Sequence, residues 1–253
     1  MHMNVAVILP AAGLGTRMGR GSAEKTGASR KQFMLLEGSP ILLHTVRKFA
    51  ASERVGKIVV AVRGEDLEWL GELLAGEFPD GRARVVEGGN SRQQSVANAL
   101  ATLNPDTDLV AVHDAVRPFI DLETIHNVLD EAAATGAAIV GVVPVDTVKQ
   151  VSRTNGRARI RGTLQRDKLV LAQTPQVFRY DLLVRAFETA RQDGFIGTDE
   201  ASLVERLDVE VSVVLGSDRN IKITKSGDMD LARLFLQEET ARDQTATVKE
   251  ARL

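Results

Sequence analysis

The sequence contains no cysteine. That excludes disulfides, thiolate-held zinc, iron–sulfur clusters and thiol catalysis. It has one tyrosine, Tyr180, followed four residues later by Val184, so the Tyr-x-x-x-Lys pair of short-chain reductases is missing. Neither charge sign is in excess: 32 Lys+Arg stand against 34 Asp+Glu, a formal net charge of -2. A protein that binds nucleic acid by neutralising phosphates needs a basic excess or stripe. No apolar run approaches the roughly 18 residues of a membrane span. The apolar stretch in MHMNVAVILP is also too short for a signal peptide. The expectation is a soluble cytoplasmic protein with no nucleic-acid or membrane partner.

What is present is a regular alternation. Asn4–Leu9, Lys57–Val62, Ala83–Val86, Leu109–Val112 and Ala138–Val143 are short, β-branched and nearly continuous in hydrophobicity. Parallel strands covered on both faces have that character. Between them, helical patterning covers Pro40–Ser52, Asp66–Gly76, Ser91–Leu103 and Leu122–Thr135, and later Asp181–Asp193. The rhythm predicts a doubly wound α/β sheet with helices on both faces. It breaks from Val145 to Phe178, where alternating stretches flank Asn155-Gly156, a hairpin signal. This segment is expected to leave the main sheet as an antiparallel arm. A strand at Val209–Leu215 and a helix over Asp228–Glu239 close the pattern. With no repeat and no low-complexity linker, the 253 residues are expected to form one domain over 1–240, with an arm at 145–178. The polar tail 241–253 is expected to fray.

Four places could carry chemistry. Pro10–Gly19, PAAGLGTRMG, follows the first strand. Its small residues let backbone N–H groups approach an anion. It is neither a dinucleotide fingerprint, since Met18 stands three residues after Gly15, nor a P-loop, since Gly19 is followed by Arg20-Gly21. Arg17 lies inside it and Lys31-Gln32 follow, so two cations flank a phosphate-sized loop. A tight turn with solvated cations is the plainer reading of the same residues. The second place is VHDAVRP, with Asp114 at a strand's carboxyl end, where ligands gather in open sheets. That carboxylate could hold Mg²⁺ beside a triphosphate, or simply pair with Arg117. A lone histidine beside a strand end, His113, is more often structural and stays outside the mechanism.

The third place, EGGNSRQQS, joins a strand to a helix that Ser91 could cap, with Ser95 one turn inside. The fourth is split among Asp146-Thr147, Arg166, Thr174-Pro175-Gln176, the stretch from Thr198 to Ser202, and Asn220–Thr224 with Lys222. Singly these are weak: Thr198 looks like a helix cap and Lys222 like a solvated lysine. From the residues alone, the chain is an α/β protein that binds a nucleoside triphosphate with Mg²⁺ and transfers a nucleotidyl group.

Together, PAAGLGTRMG, KQF, EGGNSRQQSV, VHDAVRPF, VPVDTVK, QTPQVF, TDEASLVE and NIKIT resemble, in that order, the 2-C-methyl-D-erythritol 4-phosphate cytidylyltransferases, over about residues 4–238. The ribitol 5-phosphate cytidylyltransferases share most of these segments and are the alternative. A catalytically silent nucleotide-binding module on the same fold is a third. The resemblance implies a Rossmann-like nucleotidyltransferase whose β-arm interlocks two subunits into a homodimer. It implies that Ala11, Ala12, Gly13 and Gly15 wrap CTP, with Arg17, Lys31 and Lys222 as the catalytic cations. It assigns Gly88, Asn90 and Ser95 to the cytosine and ribose, and Asp114 to Mg²⁺ or another divalent cation. Ala115 and Arg117 would line the acceptor pocket, and Thr147 and Arg166 would reach the acceptor phosphate from the partner's arm. Three departures stand out: the stretch Arg20–Arg30 is a few residues longer than usual, Arg30 occupies a position where the family commonly has proline, and Asn90 one that is often acidic.

Overall fold

The computed structural model describes residues 3–13 and 30–250, the side chains of 243–250 excepted. Gly15 and Arg17 therefore lie outside the described residues. The chain opens with β1 (Val5–Pro10). A short ladder of β2 (Leu35–Leu36) and β3 (Ser39–Pro40) precedes α1 (Ile41–Ala50). Then come β4 (Val55–Val62), α2 (Leu67–Glu77), β5 (Ala83–Glu87), α3 (Arg92–Leu100), β6 (Leu109–Val112), α4 (Leu122–Thr135) and β7 (Ala137–Val142). The strands and helices expected from periodicity are found in the same order, with ends shifted by a few residues.

Seven strands form one sheet in the order β11-β7-β10-β6-β1-β4-β5, where β10 is Leu171–Arg179 and β11 is Ser212–Leu215. β1 runs parallel to β4 and to β6, β4 to β5, and β11 to β7. Side chains alternate between the faces as a strand requires. Val5, Val7 and Leu9 join the cluster under α1, α2 and α4, whereas Ala6 and Ile8 join the one under α3 and α5 (Tyr180–Gln192). The chain winds outward from β1 to β4 and β5, then returns to the other side of β1 at β6. The connections thus diverge between the carboxyl ends of β1 and β6, where open α/β sheets open a crevice.

Two expectations need correction. The arm is shorter than 145–178. It is the separate hairpin β8 (Lys149–Thr154) and β9 (Arg157–Thr163), turning through Asn155 (φ 49°) and Gly156 (φ 76°), as a two-residue Asn-Gly turn should. The final part of the segment is instead β10, antiparallel to both β6 and β7 in the middle of the main sheet. Burial decides this: Gln173 to Phe178 are all buried, and Val177 and Phe178 are fully enclosed. The second correction concerns the tail. Helix α7 runs over Ser226–Glu250, well past Glu239, because no glycine or proline interrupts the later residues. Its first turns pack Met229 and Ala232 on Val116, Phe119 and Ile223. Among the described residues no helix is long and apolar enough to cross a membrane.

Candidate active site

A cleft of about 660 Å³ opens at the crevice between β1 and β6. One wall is the loop leaving β1. The Ala11 amide donates to the Ala61 carbonyl at 2.7 Å, continuing the β1–β4 ladder. The Gln32 side chain then donates to the carbonyls of Ala11 (2.6 Å) and Gly13 (3.1 Å). One amide thereby fixes the loop from the far side of the glycine-rich segment. A short 3-10 turn over Lys31–Phe33 places Lys31 on the cleft. Just before it, Arg30 is buried against the Asp66 carboxylate, 3.2 Å from Glu65 and over the Phe33 ring. Arg30 is thus an ionic anchor that ties this turn to the start of α2.

The second wall is the joint between β5 and α3. Gly88 donates to the Val62 carbonyl at 2.6 Å, and a Cβ there would stand 2.7 Å from the Ala12 Cβ. Only glycine lets the two walls approach this closely. Ser91 caps α3 by accepting from the Gln94 amide at 3.0 Å. The Ser95 hydroxyl donates to the Ser91 carbonyl at 2.8 Å and accepts from the Gly89 amide at 3.0 Å. It holds the turn in shape while still lining the cleft.

The floor is Asp114, just past β6. Its Oδ2 lies 2.8 Å from Lys222 Nζ and 3.3 Å from Arg117 Nε, and its Oδ1 lies 3.4 Å from Arg92 Nε. Burial by itself would raise this carboxyl. The charges of Arg92 and Lys222, with the Lys222 hydrogen bond, outweigh burial and hold it well below the usual carboxylate range. The Asp114 amide donates to Thr174 Oγ1 of β10 at 3.0 Å. Asn220 donates to the Thr174 carbonyl at 2.9 Å, and its own carbonyl accepts from Arg117 at 2.7 Å. The antiparallel strand therefore braces the floor from the side that sequence periodicity assigned to the arm. His113 is fully enclosed, with ring nitrogens 3.0 Å from the Arg117 carbonyl and 3.1 Å from Thr174 Oγ1. Burial pushes it down to about 4, so it is neutral near pH 7 and acts as a brace.

Of the residues singled out in the sequence, Ala11, Ala12, Gly13, Lys31, Gly88, Asn90, Ser95, Asp114, Ala115 and Lys222 line this one cleft. Arg117 stands behind Asp114. Thr147 and Arg166 are not among the lining residues; Arg166 donates instead to the Val145 carbonyl at the base of the arm, at 2.7 Å. Sequence reading missed the roles of Gln32, Thr174 and Asn220, and missed Arg92, which lines the cleft and meets the buried Glu200. One signal for Arg92 was available: a cation in the first turn of a helix opposes its dipole and needs another reason to be there.

Among the described residues no three His, Asp or Glu side chains gather as a metal cage. The Asp114 carboxylate on the cleft still fits Mg²⁺, which commonly takes one or two carboxylates and completes its shell with waters and phosphate oxygens.

Comparison with known proteins gives one answer. The family model described as IspD, 2-C-methyl-D-erythritol 4-phosphate cytidylyltransferase, matches residues 5–238. The 2-C-methyl-D-erythritol 4-phosphate cytidylyltransferase of Solibacter usitatus is 75% identical over 240 residues, covering 95% of this chain and 98% of its own. That of Acidobacterium capsulatum is 52% identical over 242 residues, covering 95% and 100%. The crystal structure of 4-diphosphocytidyl-2C-methyl-D-erythritol synthase from Anaerococcus prevotii superposes with a TM-score of 0.80 at 28% identity, covering 93% of this chain and 97% of that one. With the fold and nearly the whole length in agreement, the chain belongs to the 2-C-methyl-D-erythritol 4-phosphate cytidylyltransferase family.

Proposed function

We propose that this enzyme transfers the cytidylyl group of CTP to 2-C-methyl-D-erythritol 4-phosphate, giving 4-diphosphocytidyl-2-C-methyl-D-erythritol and pyrophosphate for non-mevalonate isoprenoid synthesis. The observation that carries this reading is the cation-ringed Asp114 facing a glycine-walled cleft, in a chain whose close relatives bear that activity in their names. Those relatives favour methylerythritol phosphate over ribitol 5-phosphate as acceptor. Lys31, Asp114 and Lys222 on one cleft argue for an active enzyme over a silent module.

In the reaction, an acceptor phosphate oxygen attacks the α-phosphorus of CTP in line. The bond to the bridging α–β oxygen breaks, and pyrophosphate leaves with the electron pair. The acceptor phosphate is largely ionised near neutral pH, so no general base is needed, in keeping with a neutral, enclosed His113. Charge gathers on the equatorial and leaving oxygens. Lys31 and Lys222, with Arg17 in the glycine-rich segment, answer it with fixed positive charge. The loop Ala11–Gly13 wraps the phosphates, with the Ala12 and Gly13 amides towards them, while Gly88, Asn90 and Ser95 take the base and ribose. Asp114 would hold Mg²⁺, which supplies charge neutralisation on the phosphates when bound. Ala115 and Arg117 border the acceptor.

Thr147 and Arg166 lie at the base of the arm, outside this chain's cleft, which fits a site completed by a partner subunit. Exposed Val145, Ile160, Leu171 and Leu215 around the hairpin and edge strand β11 offer the apolar surface for such a homodimer. A cytoplasmic location goes with dependence on CTP. The deciding experiment is pyrophosphate release with CTP and Mg²⁺, comparing 2-C-methyl-D-erythritol 4-phosphate with ribitol 5-phosphate. A strong preference for the first is expected; preference for the second would move the enzyme to polyol activation. Release with neither, from folded protein that binds CTP, would overturn the reading.

A further inference from the structure

Glu200 is a buried carboxylate, 1% exposed, to which the reaction above gives no part. It stands at the start of the short helix α6 (Ala201–Val204). Both its oxygens accept from Arg92 Nη1, at 2.7 and 2.9 Å. The same guanidinium reaches Asp114 through Nε at 3.4 Å. It therefore spans two carboxylates, held closely by the hidden one and loosely by the one facing the cleft. Glu200 is itself fixed from below. Gln176 of β10 accepts from the Ala201 amide at 3.0 Å and donates to Asp199 Oδ2 at 2.8 Å. Asp199 Oδ1 accepts from the Ser202 amide at 3.0 Å.

Stability does not account for this arrangement. Arg92 is the first residue of α3, where positive charge opposes the helix dipole. Burying an ion pair gains little over apolar packing of the same volume. What the pair does achieve is orientation: a flexible cation is held in one place on the wall of the cleft.

We infer that Glu200 is a positioning residue for the cytidylyl transfer, acting through Arg92, whose guanidinium it holds beside Asp114 on the cleft wall. The inference rests on the reaction proposed above. Held there, the guanidinium presents its charge to the phosphates with no reorganisation during transfer. Released, it can close fully onto Asp114 or swing into the cleft, and either movement disturbs the carboxylate at the cleft floor.

The test is a double-mutant cycle on steady-state pyrophosphate release. Glu200→Gln should lower kcat by about tenfold to a hundredfold, the scale of a small misplacement at a reacting centre, with KM for CTP moving far less. Arg92→Lys keeps the charge, but its single nitrogen cannot serve both carboxylates, so a similar loss is expected. The double variant should fall no further than the worse single one. Glu200→Asp keeps the buried charge, should recover part of the loss, and serves if Glu200→Gln fails to fold. Losses that multiply in the double variant would show that Glu200 acts elsewhere, as an anchor of α6. Full activity in Arg92→Lys and Glu200→Asp would likewise overturn the inference. Wild-type turnover in the same assay separates the two levels: normal turnover with multiplying losses removes this inference alone, and no wild-type turnover removes the parent reading with it.

Discussion

The cleft floor and the arm are built from residues of similar polarity, yet they are finished in opposite ways. At the floor every charged group has a partner within the chain: Asp114 meets three cations, and Arg117 and Thr174 are tied to Asn220. On the hairpin no residue is buried, and Ile160 presents its apolar side chain to the outside. A floor that must hold charge at fixed positions is closed by the protein's own interior. The arm's apolar residues find no cover among the described residues, and it is the homodimer proposed above that would cover them. Damage to the first should therefore appear as lost chemistry, and damage to the second as lost assembly.

The largest effect should come from removing a charge at the floor. Lys222→Ala or Lys31→Ala is expected to lower kcat by about 10²–10³-fold while thermal melting still reports a folded protein. Unchanged turnover in both would dissolve the distinction between floor and arm. Next is the brace beneath the floor. His113 titrates at about 4 in the folded protein against 6.5 unfolded, so the unfolded state takes up its proton first. Stability should fall as pH drops from 6.5 towards 4, by about 3 kcal/mol in the limit. Urea unfolding across that window should show this slope, and His113→Gln should flatten it.

Arg166→Ala, at the base of the arm, should raise KM for the acceptor while leaving CTP affinity in place. Mixing Arg166→Ala subunits with Lys31→Ala subunits should return some activity, since one composite site per mixed dimer would be intact. Failure to do so in verified heterodimers would return Arg166 to its own chain. The smallest effect on stability is expected from Ile160→Lys, within about 0.5 kcal/mol for an exposed side chain. The same change should nonetheless shift the proposed homodimer towards monomer in sedimentation.

Much of this was legible along the chain because it is decided locally. Asn155-Gly156 states its turn, since both residues accept positive φ. The buried strands announce themselves by unbroken β-branched runs, and their carboxyl ends locate the cleft. Gly88 and the small residues of Ala11–Gly13 mark the backbone approach that the cleft needs. The length of α7 could have been read better, since nothing in its later residues stops a helix.

Other features depend on which distant segments become neighbours, and no period or motif carries that. β10 reads as part of an arm because its alternation is local, but its place between β6 and β7 is set by what it buries. The fixing of the glycine loop by Gln32, the Arg30–Asp66 anchor and the Arg92–Glu200 pair each join groups far apart in sequence. Element order, sheet type and the segments that come to line the cleft are thus legible in the order of residues along the chain. Which cations meet Asp114 and which carboxylate restrains Arg92 is set on folding, because Coulomb energy and desolvation depend on distance and burial, and neither quantity exists until distant segments have packed together.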